Sequence, residues 1–267
     1  MSSSPPPADA SAAFSVEERR EAIVNLVRQH GFVGVEMLAS RFGVTVQTIR
    51  RDLNDLSGEG RLARYRGGGG LPSSVANIDY SARQIMNQVE KEQIAKLVAR
   101  HVPDHVSIFM NIGTTTEAVA AALIHHQDLR VITNNLNVAT ILSRHTDFEI
   151  TITGGSVRNR DGGVLGPACV DMISQFRVDI GIIGISGIDS DGTLLDFDYD
   201  EIRAAQTILR NARKTYLVTD HTKFQRRPLL RMASITEVSA VFVDMAPPRA
   251  LTELLASSGT ELHIANL

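Results

Sequence analysis

The sequence predicts an α/β chain in two parts: a small N-terminal unit of helices with a basic hairpin, then a larger unit built on a mostly parallel sheet. Three observations carry this. Residues 35–66 read as helix, tight turn, helix and basic hairpin; residues 90–267 alternate helical patterns with apolar runs; a Gly-, Pro- and Ser-rich stretch separates the two. At 267 residues, 43% hydrophobic and 21% charged, the chain can bury one small and one medium core.

Residues 1–14 are a Ser-, Pro- and Ala-rich stretch that reads as a disordered tail. They lack the basic start and apolar run of a signal peptide, and no segment approaches the roughly 20 apolar residues that span a bilayer. No membrane role is expected. A first helix starts at Ser15, where Ser15 and Glu18 match a capping box, and Ile23, Leu26 and Val27 form its inner stripe. Val35, Leu38 and Phe42 mark a second helix, Gly43 and Val44 a turn, and Thr45 the N-cap of a third. In that third helix Ile49, Leu53 and Leu56 share one face, leaving Gln47, Arg51 and Asn54 opposite, with Thr48 and Arg50 on the flanks.

The hairpin that follows puts Arg64 and Arg66 on one side of a short ribbon, so residues 15–70 read as a winged helix-turn-helix. An Arg fork matches guanine O6 and N7, a Gln or Asn amide matches adenine N6 and N7, and Arg or Thr can hold phosphate. Double-stranded DNA is therefore the expected partner, with Thr45, Gln47, Thr48, Arg50, Arg51, Asn54, Arg64 and Arg66 as candidate contacts; for the hairpin alone, a solvated basic loop competes. The net charge of −3 and pI near 6.2 conceal an asymmetry. Arg41, Arg50, Arg51, Arg61, Arg64 and Arg66 gather in the head, whereas Asp189, Asp191, Asp196, Asp198, Asp200 and Glu201 come later.

Cys169 is the single cysteine, which excludes a disulfide framework and a multi-thiolate zinc site and suits a buried thiol in a reducing, cytoplasmic compartment. The composition loosens after Gly67, and the linker is placed at 71–89. From 90 to 267 the strands are near-continuous apolar runs, as burial on both faces produces.

In such sheets ligands gather at the carboxyl ends of the strands. Gly113, Thr114, Thr115 and Thr116 follow one apolar run and can present hydroxyls, N–H groups and a helix dipole to a phosphate, or simply cap the helix. Asn134 and Asn135 follow the next, again as ligands or caps. A glycine-rich loop carries Arg158 and Arg160, Gly187 lies in a further turn before the carboxylates Asp196, Asp198 and Glu201, and Lys223 follows a late strand. Gly181, Gly184 and Gly187 miss the dinucleotide pattern, no Walker lysine follows the threonines, and the eight histidines show no metal-ligand spacing. No cofactor, metal or catalytic residue is assigned.

Together these segments resemble the DeoR family of bacterial transcription regulators from about residue 17 to 245. VTVQTIRRDLNDL is similar to the family's head helix, and GTTTEAVA, TNNLNVA, GGSVRNRDGG, GISGID, FDYDE and DHTKF are similar to its sensor motifs in their usual order. The resemblance implies a repressor with a ribose-5-phosphate-isomerase-like α/β sensor domain over 90–267, whose operator binding is weakened by a phosphorylated metabolite. The subgroup it resembles implies glycerol-3-phosphate as that metabolite and genes of glycerol and glycerol-3-phosphate metabolism as targets. By the same likeness Gly113, Thr114, Thr115 and Thr116 receive the phosphate, Asn134, Asn135 and Asp198 the hydroxyls, and Lys223 adds charge; Arg158, Gly187 and Glu201 complete the candidate set. Two departures are Tyr65-Arg66, where relatives often carry histidine in the wing, and Thr116, where some carry proline. Palindromic half-sites imply a homodimer or homotetramer. Other readings are the same repressor with a different sugar-phosphate effector, or a sugar-phosphate isomerase or deaminase using Asp196, Asp198 or Glu201 beside Lys223.

Overall fold

The computed structural model describes residues 14–30, 32–59, 61–65, 67–70 and 77–265. The tail expected over 1–14 lies, apart from Phe14, outside them. The chain divides into two units, Met1–Leu71 and Pro72–Leu267.

In the first unit α1 (Val16–His30), α2 (Val35–Phe42) and α3 (Val46–Gly58) surround a core of Ile23, Val27, Leu38, Phe42, Ile49, Leu53 and Leu56. The capping box forms, the Ser15 hydroxyl accepting Glu18 N–H at 3.2 Å while Glu18 accepts Ser15 N–H at 2.9 Å. Gly43 ends α2 at φ 62°, in the left-handed region that favours glycine. Strands β1 (Phe32–Gly34), β2 (Ala63–Tyr65) and β3 (Gly68–Gly70) form an antiparallel sheet with β3 in the middle. The glycines after the wing are therefore close-packing residues. A Cβ on Gly68 would stand 2.3 Å from the Val33 carbonyl, and one on Gly69 2.6 Å from Leu53 Cδ2.

The second unit begins, within the described residues, in the stretch read from composition as linker. Here α4 (Tyr80–Ile85) and the start of α5 (Gln88–Ala99) are ordered elements, and Ile78, Met86, Asn87, Glu90 and Lys91 are buried. Onward run β4 (Ser107–Met110), α6 (Thr114–Ala122), β5 (Arg130–Thr133), α7 (Leu136–His145), β6 (Glu149–Ile152), β7 (Ser156–Arg158), β8 (Gly163–Leu165), α8 (Pro167–Ser174) and β9 (Val178–Ile183). After them come β10 (Gly187–Ile188), β11 (Thr193–Asp196), α9 (Tyr199–Asn211), β12 (Ala212–Thr219), β13 (Leu230–Ser234), β14 (Ala240–Val243), α10 (Arg249–Ser258) and β15 (Glu261–Ile264).

Seven strands form one sheet in the order β15-β14-β12-β9-β4-β5-β6, every neighbour parallel. One face packs on α5, α6 and α7 through Ile94, Val98, Val119, Val138 and Leu142, the other on α8, α9 and α10 through Cys169, Ile173, Ile202, Ile208 and Leu251. From β4 the chain winds outward to β5 and β6, and from β9 it winds the opposite way to β12, β14 and β15. The loops after β4 and β9 thus part at the centre of the sheet and leave a crevice there. Two antiparallel additions accompany it: the β7–β8 hairpin inside the glycine-rich loop, and the sheet β10-β11-β13, in which Asp189-Ser190-Asp191-Gly192 makes the hairpin turn that those residues suggest. Both pair strands too short for a clear period-two pattern.

The head also holds a buried ion network. Arg19 (6% exposed) donates to Asp52 (3% exposed) at 2.7 Å, and Arg20 donates to Asp52 at 3.2 Å and to Asp55. Removing one partner of such a pair leaves a buried charge uncompensated, at a cost of about 3–5 kcal/mol. In Asp52→Ala, amide exchange in α1 and α3 is expected to speed up by roughly 150- to 5,000-fold, with α5 and α6 unchanged; exchange within a factor of about 3 of the parent would show the network to be energetically silent.

Candidate functional site

Two surfaces concern function, one in each unit. On the head, the α3 residues Gln47, Arg50, Arg51 and Asn54 are exposed on the face opposite Ile49, Leu53 and Leu56. Thr45 caps α3 by accepting Thr48 N–H at 3.1 Å, and the two hydroxyls share a hydrogen bond of 2.9 Å. Arg64 is half-buried, not freely projecting: it donates to Asn54 Oδ1 at 3.2 Å and to the Gly68 carbonyl at 2.8 Å, tying the wing to the helix. Burial, with Arg50 nearby, holds its pKa below the usual arginine value. The side chains of Gln47, Arg50 and Arg51 make no hydrogen bond or ion pair with the described residues and are exposed to solvent. Arg66 lies outside the described residues.

In the second unit a cleft of about 40 Å³ lies at the crevice between the loops after β4 and β9. Gly113, Thr114 and Thr115 come from the first loop and α6, Gly184 and Ser186 from the second, Lys223 from the turn after β12, and Arg83 from α4, with Asp196 and Glu201 on the remaining side. Several donors here lack a hydrogen-bond partner among the described residues, although Arg83 Nε donates to the Ile78 carbonyl at 3.1 Å. Lys223 Nζ has only Asp220, 3.9 Å away, and the Thr114 and Thr115 hydroxyls have no hydrogen-bond partner. The first-turn N–H groups of α6 are free by helix geometry. Near-complete enclosure lowers the Lys223 pKa to about 7, against the pull of Asp220. Lys91, also enclosed, is lowered to about 8.

Facing these donors, Glu201 is pushed up to about 7, by burial first and by Asp196 next, with Arg158 opposing. Burial likewise raises Asp196. Asp220 goes the other way: burial disfavours its charge, yet Lys223 and Thr222 prevail and hold it below the usual carboxylate range. Asn87 and the Thr222 N–H donate to it at 3.1 and 3.0 Å.

Several expected ligands are engaged elsewhere. The Thr116 hydroxyl donates to the Asn111 and Gly113 carbonyls at 2.9 and 2.6 Å, closing the turn that presents its neighbours. Asn134 donates to the Val164 carbonyl at 3.2 Å; Asn135 caps α7 through Asn137 N–H at 2.9 Å and donates to Glu117 at 3.1 Å. Arg158 fills its fork with Asp161 (2.7 Å), Asp198 (2.8 Å) and Glu201 (2.5 Å), and Asp198 also caps α9. Gly187 is shut behind the Arg226 carbonyl, 2.4 Å from where a Cβ would stand. These side chains build the walls, while Gly113, Thr114, Thr115, Glu201 and Lys223 line the cleft itself.

Arg83, Ser186 and Lys91 were not among the expected site residues. For Lys91 a signal existed: Lys91, Ile94, Ala95 and Val98 fall at helical spacing, so an ammonium occupies a core position of α5 and needs an internal reason to be there. Among the described residues no group of three or more His, Cys, Asp and Glu could hold a metal ion, and no helix is long and apolar enough to cross a membrane.

Comparison with known proteins agrees with this division. The DeoR-like helix-turn-helix domain model matches residues 19–75, and the DeoR C terminal sensor domain model matches residues 86–245. The glycerol-3-phosphate regulon repressor of Escherichia coli is 47% identical over 92% of this chain and 98% of that protein. Its Haemophilus influenzae namesake is 43% identical over 93% and 96%, and the HTH-type transcriptional repressor CsqR of Escherichia coli is 38% identical over 91% and 94%. Among solved structures, ribose 5-phosphate isomerase A of Methanocaldococcus jannaschii is 14% identical, covering 52% of this chain and 55% of that one at a TM-score of 0.39. With both domain models matched in order and relatives aligned nearly end to end, the chain belongs to the DeoR family.

Proposed function

We propose that this chain is a sequence-specific DNA-binding repressor of genes for glycerol and glycerol-3-phosphate metabolism, acting in the cytoplasm as a homodimer or homotetramer and released by a phosphorylated metabolite, glycerol-3-phosphate first. The observation that carries the effector is the convergence of the α6 N-terminus, the Thr114 and Thr115 hydroxyls and Lys223 on one cleft without internal hydrogen-bond partners. That is the donor set a phosphate monoester requires. Asp196 and Glu201, acceptors on the far side, suit the hydroxyls of a short polyol. The identity of 47% with a relative named for the glycerol-3-phosphate regulon supports the choice of effector. Another phosphorylated polyol or sugar would use the same donors.

On DNA, α3 enters the major groove with Gln47, Arg50 and Arg51 toward base edges and phosphates, and Arg64 steadies the wing. Effector acts by preferring the conformation that binds operator poorly, since equal affinity for both states would shift nothing. A second reading, sugar-phosphate isomerisation, is favoured by one observation only. Glu201 and Lys223 both titrate near 7 in one cleft, as an acid–base pair would. Turnover of a phosphosugar panel by the purified chain would establish it, and no turnover would remove it.

Three measurements follow. Arg51→Ala should weaken specific operator binding by about 1–3 kcal/mol if the side chain contacts a base; unchanged affinity removes it from the readout. Calorimetric titration of the full chain with glycerol-3-phosphate should show saturable binding that glycerol and inorganic phosphate do not match; binding no tighter than inorganic phosphate would withdraw the effector. The third concerns pH. Lys223 carries its charge below about 7 and loses it above, while the phosphate monoester becomes dianionic above about 6. Affinity should therefore rise to near pH 6–7 and fall on the alkaline side, and Lys223→Arg, which stays charged, should abolish the alkaline fall. An alkaline limb identical in Lys223→Arg would assign it to another group, with Glu201 the first to test.

A further inference from the structure

We infer that Arg83, carried on α4 at the start of the second unit, is a phosphate ligand of the effector, and that its engagement is how occupancy of the cleft reaches α4. This rests on the proposed effector reading and deepens it.

Arg83 lines the same cleft as Gly113, Thr114, Thr115 and Lys223. Its guanidinium is only partly used: Nε donates to the Ile78 carbonyl at 3.1 Å, the nearest carboxylate oxygen, on Asp161, stands 3.7 Å from Nη2, and the Tyr80 ring lies beneath it at 5.7 Å. Neither terminal nitrogen has a hydrogen bond among the described residues, although the side chain is 17% exposed. Arg158 shows the contrast, with the same group and the same burial but every arm on a carboxylate. A planar fork with both terminal nitrogens open in a cleft of hydroxyls and helix N–H groups matches two oxygens of a phosphate.

The cleft as it stands holds roughly three waters, less than a phosphorylated three-carbon polyol fills. A ligand seated deeply in it presses on its walls, and the wall with room to yield is α4. The sheet loops are pinned by a backbone bond, Asn111 N–H to the Ile182 carbonyl at 3.2 Å, and by Gly184 N–H donating to the Asn111 side-chain Oδ1 at 3.0 Å. By contrast α4 is a short helix attached by side chains. Tyr80 Oη donates to Glu117 at 2.7 Å and accepts from Asn137 at 2.9 Å, and Lys91 holds the Arg83 carbonyl. On its other flank Gln84 and Ile85 border an open groove of about 420 Å³, which Thr114 also lines. So α4 has space to shift, and Glu117 sits on the helix whose first turn would take the phosphate. In the sequence α4 is the first described element after the wing strand β3.

The test uses the full chain, with glycerol-3-phosphate, glycerol and inorganic phosphate titrated into the parent, Arg83→Gln and Arg83→Lys. Thermal melts establish that each variant is folded. Arg83→Gln should bind glycerol-3-phosphate roughly 10- to 100-fold more weakly, the loss expected of a charge-assisted hydrogen bond, with weak glycerol binding unmoved and Arg83→Lys recovering part of the loss. Amide exchange over Tyr80–Ile85 should change on adding glycerol-3-phosphate to the parent and not to Arg83→Gln at matched saturation. Parent-like affinity in Arg83→Gln overturns the ligand role, and a ligand-induced exchange change that persists in that variant overturns the coupling. If Arg83→Gln does not fold, Arg83→Lys alone decides: its charge stays but its fork is lost, so parent-like affinity for glycerol-3-phosphate again overturns the role. If the parent binds no glycerol-3-phosphate, the effector reading fails first and this inference falls with it.

Discussion

The second unit depends on how charge is buried at the carboxyl ends of its parallel strands. Winding the chain both ways from β4 and β9 brings the N-termini of α6, α7 and α9 to one crest, and aligned helix dipoles make that crest attractive to anions. The sequence supplies internal anions there: Asp161, Asp196, Asp198, Glu201 and Asp220 all stand along it. Buried carboxylates need cations and hydrogen bonds, and Arg158 answers three of them at once. Asp161 stays below the usual carboxylate range because Arg158 outweighs its burial, whereas Glu201, where Asp196 adds to the effect of burial, does not. The crest is thus close to balance, with one protonation near neutrality left open.

That balance separates structural from receptive donors. Arg158, Asn134, Asn135 and Thr116 have their partners inside the fold, and a ligand could reach them only by displacing a carboxylate or a carbonyl. Lys223, Arg83, Thr114 and Thr115 keep donors that the fold does not fill. Such groups carry a desolvation cost in the free protein that an anion relieves on binding. Of the two lysines, Lys91 is fixed on the Arg83 carbonyl and holds α4, whereas Lys223 keeps its ammonium for the proposed ligand.

Much of this could be read from residue order, and the failures share a cause. The capping box at Ser15 and the N-cap at Thr45 are local patterns whose partners lie within four residues, and the structure shows each. The apolar runs of the second part became strands of the main sheet, among them β4, β5 and β9, since burial on both faces leaves that mark. What could not be read depends on distant partners. The glycines at 68–70 have the composition of a flexible connection, and only the approach of Val33 and Leu53 shows that they are a strand with no room for side chains. Arg158 and Asn134 sit where a ligand residue should, yet their partners come from forty and thirty residues away. Arg83 lies in a segment of weak periodicity, so nothing local distinguished it from a solvated arginine.

The same physics bears on how complete the switch can be. Coupling between an effector site and a second site is typically about 1–3 kcal/mol, a factor of about 5–150 in affinity. Carrying a regulator from almost fully bound to almost fully free takes about 5.5 kcal/mol. One cleft that exchanges a loose Arg83–Asp161 contact of 3.7 Å for a phosphate falls short of that alone. In the proposed homodimer both heads must hold their half-sites together and both clefts bias the same operator complex, so the two couplings add. On the proposed reading a modest local event, one guanidinium taking hold of one phosphate, counts twice on one piece of DNA.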